Sequence, residues 1–180
     1  MRSYDDRVTK KVNLPLFADP AYRKTDIGVP RKKPSIETAR SRLGGRPVVE
    51  DAPPVGFAPG VVVTFPVASG RRMPGVIVFA SRAEVHVLLD GLRLRRLTPQ
   101  DLVLYDGEVG AELEKLAGDA RLFGLLVEGQ AVRYVDDAGD LVDGKVVEKC
   151  RWGALVLRHD GAVVAVGFRK LWPAPSGASA

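Results

Sequence analysis

The chain repeats itself, and this constrains its fold more than any other feature. Set PGVVVTFPVASGRRMPGVIVFASRAEVHVLLDGLRLRRLTPQDL over EGQAVRYVDDAGDLVDGKVVEKCRWGALVLRHDGAVVAVGFRKL, and the punctuation coincides at an offset of 69 residues. Gly60 falls on Gly129, Gly70 on Gly139 and Gly75 on Gly144, while Val63 falls on Val132, Phe65 on Tyr134, Ile77 on Val146, Val87 on Val156 and Leu102 on Leu171. Matching glycines imply matching turns, because glycine reaches backbone conformations that other residues resist. Two copies of one supersecondary unit are expected. A single-residue slip sets Asp90-Gly91 on Asp160-Gly161 and is undone immediately afterwards.

Within each copy, short apolar runs between turn residues predict five strands. They lie at 61–65, 75–80, 84–89 and 92–96 in the first copy and at 131–135, 145–149, 154–158 and 162–167 in the second, with a short fifth strand ending at Leu102 or Trp172. Asp-Gly between apolar runs is a strong hairpin signal. It also weakens the idea of a catalytic trio of Cys150, His159 and Asp160, since the first copy builds the same turn without the cysteine or the histidine. Cys150 is the only cysteine, so it reads as a small buried apolar residue, and neither a disulfide nor a metal site has the spacing it would need. No phosphate loop, zinc-protease helix or nucleophile elbow appears, so neither an enzyme nor a cofactor is expected.

Between the copies, DGEVGAELEKLAGDARLFGLL carries Leu113, Leu116, Ala117, Ala120 and Phe123 at helical spacing, which predicts an amphipathic helix whose stripe is buried on one copy or between both. Residues 1–55 differ in kind, being rich in proline, which disfavours helix at each predecessor. Residues 1–50 hold 12 Lys/Arg against 6 Asp/Glu, whereas residues 51–180 hold 15 against 16 over a chain of net charge +5, so the basic excess is N-terminal. Within this extended arm SIETARSRLGG predicts a short helix, capped by Ser35 and stopped at Gly44-Gly45, that needs something to pack on. The expected organisation is an arm over 1–55, one β unit over 56–105, a linker helix over 106–125, a second β unit over 126–173 and a flexible tail over 174–180. No apolar run is long enough for a signal peptide or a membrane span, which predicts a soluble, cytoplasmic protein with no membrane partner.

The residues Gly60-Val61-Val62-Val63 with Gly75-Val76-Ile77-Val78, and Gly129-Gln130-Ala131-Val132 with Gly144-Lys145-Val146-Val147, resemble the first two strands of small SH3-like barrels, particularly the KOW and Tudor-like branches. The resemblance covers most of 57–173 and implies a mainly β protein of two tandem five-stranded barrels. It also implies binding, to nucleic-acid machinery for KOW-like modules or to methylated side chains in an aromatic cage for Tudor-like ones.

The candidate binding residues follow. Arg31, Lys32, Lys33, Arg40 and Arg42 in the arm are spaced to meet phosphates or an acidic surface. Arg71 and Arg72 precede the second strand. Arg93 and Arg95 share one side of the fourth, where the second copy has Ala162 and Val164. In the second copy Tyr134, Trp152, Phe168 and Trp172 are enriched, and a cation cage would need three of these rings around one pocket. Packing of the core is the expected use of most of them. Trp152, flanked by Lys149 and Arg151 at a bend, is the one expected to be exposed to a partner. The expected function is non-enzymatic binding of nucleic acid, DNA or RNA, or of a nucleoprotein complex. The alternative is a protein-interaction adaptor whose second barrel, or the helix, docks a peptide or a modified residue, with the arm as a tether.

Overall fold

The protein is described by a computed structural model over residues 35–47, 53–90 and 93–175. Arg31, Lys32, Lys33 and the tail beyond residue 175 therefore lie outside the described residues. All of these segments belong to one unit, Pro34–Ala180. The chain runs α1 (Ile36–Arg42), β1 (Val62–Pro66), β2 (Arg72–Ala80), β3 (Val85–Leu88), β4 (Leu94–Leu97), β5 (Val103–Leu104), α2 (Ala111–Leu125), β6 (Ala131–Val135), β7 (Leu141–Lys149), β8 (Gly153–Leu157), β9 (Val163–Gly167) and β10 (Leu171–Pro173). Among the described residues these form two five-stranded antiparallel sheets, ordered β4-β3-β2-β1-β5 and β9-β8-β7-β6-β10.

The two sheets repeat pair for pair. Val62 opposes Val76 as Ala131 opposes Lys145, Val85 opposes Leu97 as Ala154 opposes Val166, and Thr64 opposes Val103 as Arg133 opposes Trp172. Even the β-bulge recurs, between Ile77 and Phe79 and again between Val146 and Glu148. The Asp-Gly slip leaves the pairing of the residues that flank the two turns in step. Leu89 N donates to Arg93 O and Arg158 N to Ala162 O, so the two turns have equal length.

The expected closure into barrels is not found. Three-residue 3-10 turns, Pro99–Asp101 and Phe168–Lys170, carry the chain to β5 and β10, which pair with β1 and β6. Strands of two and three residues cannot also reach β4 and β9, which stay open edges among the described residues. The SIETARSRLGG segment forms the helix that its caps predict. Ser35 Oγ accepts from Thr38 N at 3.2 Å, and Gly44 and Gly45 adopt positive φ at its end. It lies not as a free arm but on the second sheet, where Ala39 and Leu43 bury Cys150 and Leu155.

The sheets differ in what they bury. In the first, Val63, Phe65, Ile77, Val85, Val87 and Leu102 fill one face, while Val76, Val78 and Leu88 on the other pack against α2 and the core of the second copy. Two-sided burial of this kind needs continuous apolar strands, which VIVF and VHVL supply. The second copy carries Lys145, Val147 and Leu157 at the outer positions, all exposed. The predicted α2 stripe of Leu113, Leu116, Ala117, Ala120 and Phe123 is buried in full. Gly60 both turns the chain, at φ +88°, and lets α2 come close, since a Cβ there would meet Ala117 O at 2.6 Å.

Gly75 and Gly144 are close-approach positions. A Cβ on either would strike the Cγ1 of Val87 or Val156 and lie about 3 Å from the Leu88 or Leu157 carbonyl oxygen. Gly75→Ala and Gly144→Ala should each lower the unfolding free energy by about 1–3 kcal/mol in urea titration. Gly118→Ala, on α2 with open space around it, should raise it by roughly 0.5–1 kcal/mol.

Candidate functional site

Trp152, expected to face a partner, instead braces the two sheets. It sits in the β7–β8 turn, where its backbone N donates to Leu43 O and its carbonyl accepts from Phe168 N, at 3.0 Å each. Its indole Nε1 donates to His86 Nδ1 at 2.9 Å, across from the second sheet to the first. Lys149 and Arg151 are also used internally. Lys149 Nζ donates to Gly124 O at 2.7 Å and Leu126 O at 2.8 Å and lies over the Phe123 ring, so it caps a helix whose last turn has no cation of its own. Arg151 pairs with Glu84 at 3.1 Å and lies over Phe79. The sequence signal of an aromatic between two cations marked an internal joint.

His86 lies in β3, where the second copy has Leu155, and it is wholly buried. Because Nδ1 accepts from Trp152, the proton of the neutral ring is on Nε2, 3.3 Å from Glu84 Oε2. Burial pushes the imidazole below its ordinary range. The Glu84 carboxylate opposes that shift, and the nearby charges of Arg151 and Arg96 reinforce it.

The basic candidates divide. Arg40 is tied to Glu148 by two bonds of 2.6 and 2.8 Å, which pulls Glu148 below the usual carboxylate range and joins α1 to β7. Arg72 donates to Thr64 Oγ1, Thr64 O and Asp101 O, stitching β2 to β1 and to the 3-10 turn. Arg42, Arg71, Arg93 and Arg95 are exposed. The register places Arg95 opposite Val87 and Arg96 opposite His86, so β4 carries arginine toward both faces at an open edge rather than on one wet face. The aromatic enrichment has a different outcome. Tyr134, Trp152 and Phe168 line one cavity of about 970 Å3 beside β9, together with Asp136, Arg158 and Val164. That convergence was not legible in the sequence, because it brings the β6–β7 loop together with β9 and the 3-10 turn that follows it.

Cys150, His159 and Asp160 do not meet. The cysteine and the Asp-Gly turn lie at opposite ends of β8, roughly 17 Å apart along a five-residue strand. Burial pushes the thiol up to about 11. Asp160 Oδ1 accepts from Ala162 N at 3.0 Å, the contact expected of a turn residue. Among the described residues no group of three or more His, Cys, Asp or Glu could hold a metal ion, and no helix is long and apolar enough to cross a membrane.

No protein-family model matches the chain, and a comparison with curated proteins finds no match either. Cys150 should react with a thiol reagent slowly in the native protein and fast in urea. Because the folded pKa of His86 lies below its unfolded value, the unfolded chain binds the extra proton. Stability should be full above about pH 6.5 and decline as pH falls below it, and His86→Gln should flatten that decline in urea titrations between about pH 6.5 and 5.

Proposed function

We propose that this is a non-enzymatic binding protein, built of two tandem SH3-like modules, that associates with nucleic acid or a nucleoprotein assembly. The fold part of this reading is supported by the strand order and register shared by the copies. The functional part is carried by one observation: β4 and the residue before it present Arg93, Arg95 and Arg96 at an open edge, where the second copy has Ala162, Val164 and Ala165. Charge there also guards the edge against pairing with another strand, but β9 is an edge strand as well and carries no arginine. The basic residues of the N-terminal 50 would add long-range attraction to phosphate. The cavity in the second copy favours the adaptor as a second reading, in which that copy docks a protein ligand.

The test uses the full chain, because truncation at residue 56 would strip α1 from the second sheet. Reversing Arg93 and Arg95 to Glu, and separately Arg31, Lys32 and Lys33, should weaken binding to duplex DNA or hairpin RNA in fluorescence anisotropy. The slope of log affinity against log salt should fall by roughly one unit for every phosphate that is no longer neutralised. Unchanged affinity and slope in both sets would reject the nucleic-acid reading.

A further inference from the structure

The second copy differs from the first at two positions at the base of its cavity. Phe65 and Leu89 belong to the apolar core of the first copy, 3% and 6% exposed. At the same places the second copy has Tyr134, 2% exposed, and Arg158. Both line the cavity. The Tyr134 hydroxyl and Arg158 Nε are buried, and neither has a hydrogen-bond partner. Arg158 pairs with Asp160 through Nη2, at 3.4 Å. Leaving buried donors without an acceptor costs stability, a cost the first copy avoids with apolar residues on the same frame. Desolvation pushes the Tyr134 hydroxyl above its usual range while the Arg158 charge acts against the shift, so at neutral pH it remains an O–H donor beside a cation. Asp136, which also lines the cavity, already accepts from Ala138 N and Asp140 N, at 2.9 and 3.0 Å. Two unpaired donors, one of them cationic, suit the two oxygens of a carboxylate.

The open edge runs along the same cavity. Val164 to Gly167 of β9 line it, and β9 has β8 as its only strand neighbour among the described residues. Its counterpart β4 carries Arg95 and Arg96 where β9 has Val164 and Ala165. An apolar edge without charge is a template for another strand.

We propose that the second sheet binds an extended acidic peptide, which adds as a strand to the free edge of β9 and sets one carboxylate on the Tyr134 hydroxyl and Arg158 Nε, the two side chains turning out of their buried positions to meet it. This names the ligand of the adaptor reading, on which it rests for its location, and it is independent of nucleic-acid binding by β4. Period-two alternation lets every second side chain of such a strand turn into the cavity.

The probe is a labelled, end-blocked heptapeptide alternating valine and glutamate, titrated into the full-length protein by fluorescence anisotropy. The expected result is binding that weakens roughly 10- to 100-fold when glutamine replaces glutamate, and comparably in Arg158→Leu. Tyr134→Phe should also weaken it. Both substitutions install the residue that the first copy carries at the same position. Arg158→Lys keeps the charge and the fold but removes the Nε donor, and Ala165→Arg guards the edge, so each should weaken binding as well. No binding by about 1 mM peptide, equal affinity for the glutamine version, or unchanged affinity in these variants overturns the proposal. Competition by free glutarate at the same molar concentration as the peptide assigns the site to a small carboxylate and overturns the strand addition. Duplex DNA binding and its salt slope should be unchanged in Tyr134→Phe and Arg158→Leu, while Arg93→Glu and Arg95→Glu should leave peptide binding intact, so either reading can fail alone.

Discussion

A β-sheet that is apolar on both faces cannot face water on either, and the first sheet of this protein is such a sheet. One face closes over its own core, and Val76, Val78 and Leu88 on the other require a cover. That cover is α2 together with the core of the second copy, which is why the apolar contacts of the second copy, the helix and the outer face of the first form one continuous cluster. The helix stripe, the Gly60 contact with α2 and the position of the β7–β8 turn all follow from this requirement. Trp152 completes the joint with a hydrogen bond to His86, so the one buried histidine of the interface has a partner for Nδ1 and a defined tautomer.

The duplication was retained in backbone and altered in side chains. Every strand pair recurs with its bulge, yet the two copies do different work, because a register that holds the main chain leaves the side chains at each position free to change. Ala83 becomes Trp152 in the turn that reaches the other sheet. Val76 becomes Lys145 on the outer face, at a position that α1 leaves exposed. Phe65 and Leu89 become Tyr134 and Arg158 beneath the cavity. The edge strands diverge in the same sense, charged in β4 and apolar in β9. The outer face of the second copy is covered only in part by α1, through Ala39, Leu43 and the Arg40–Glu148 pair.

Much of the frame was legible in the residues. Coincident glycines located the turns, alternating apolar runs located the strands, and the helical spacing of Leu113 through Phe123 identified the buried face of α2. Even the caps of α1 were present in SIETARSRLGG. The site was less legible. Lys149, Arg151 and Trp152 form a sequence pattern that suits a partner as well as it suits an internal joint, since a cation beside an aromatic has the same chemistry in both. Arg72 and Arg40 looked like Arg71 and Arg42 until Thr64, Asp101 and Glu148 were brought beside them.

By itself the sequence determined the local and periodic features: two copies, their strands and turns, the linker helix, and an N-terminal excess of positive charge. These depend on backbone conformations and on spacings of a few residues, which are written in the chain at short range. Only the tertiary structure decided that the sheets stay open, that α1 lies on the second of them, that Trp152 is turned inward to His86, and that Tyr134 and Arg158 meet beside the free edge of β9. Each of these joins residues far apart in the chain, and the energy that selects among such pairings comes from burial and hydrogen bonding that no single segment contains.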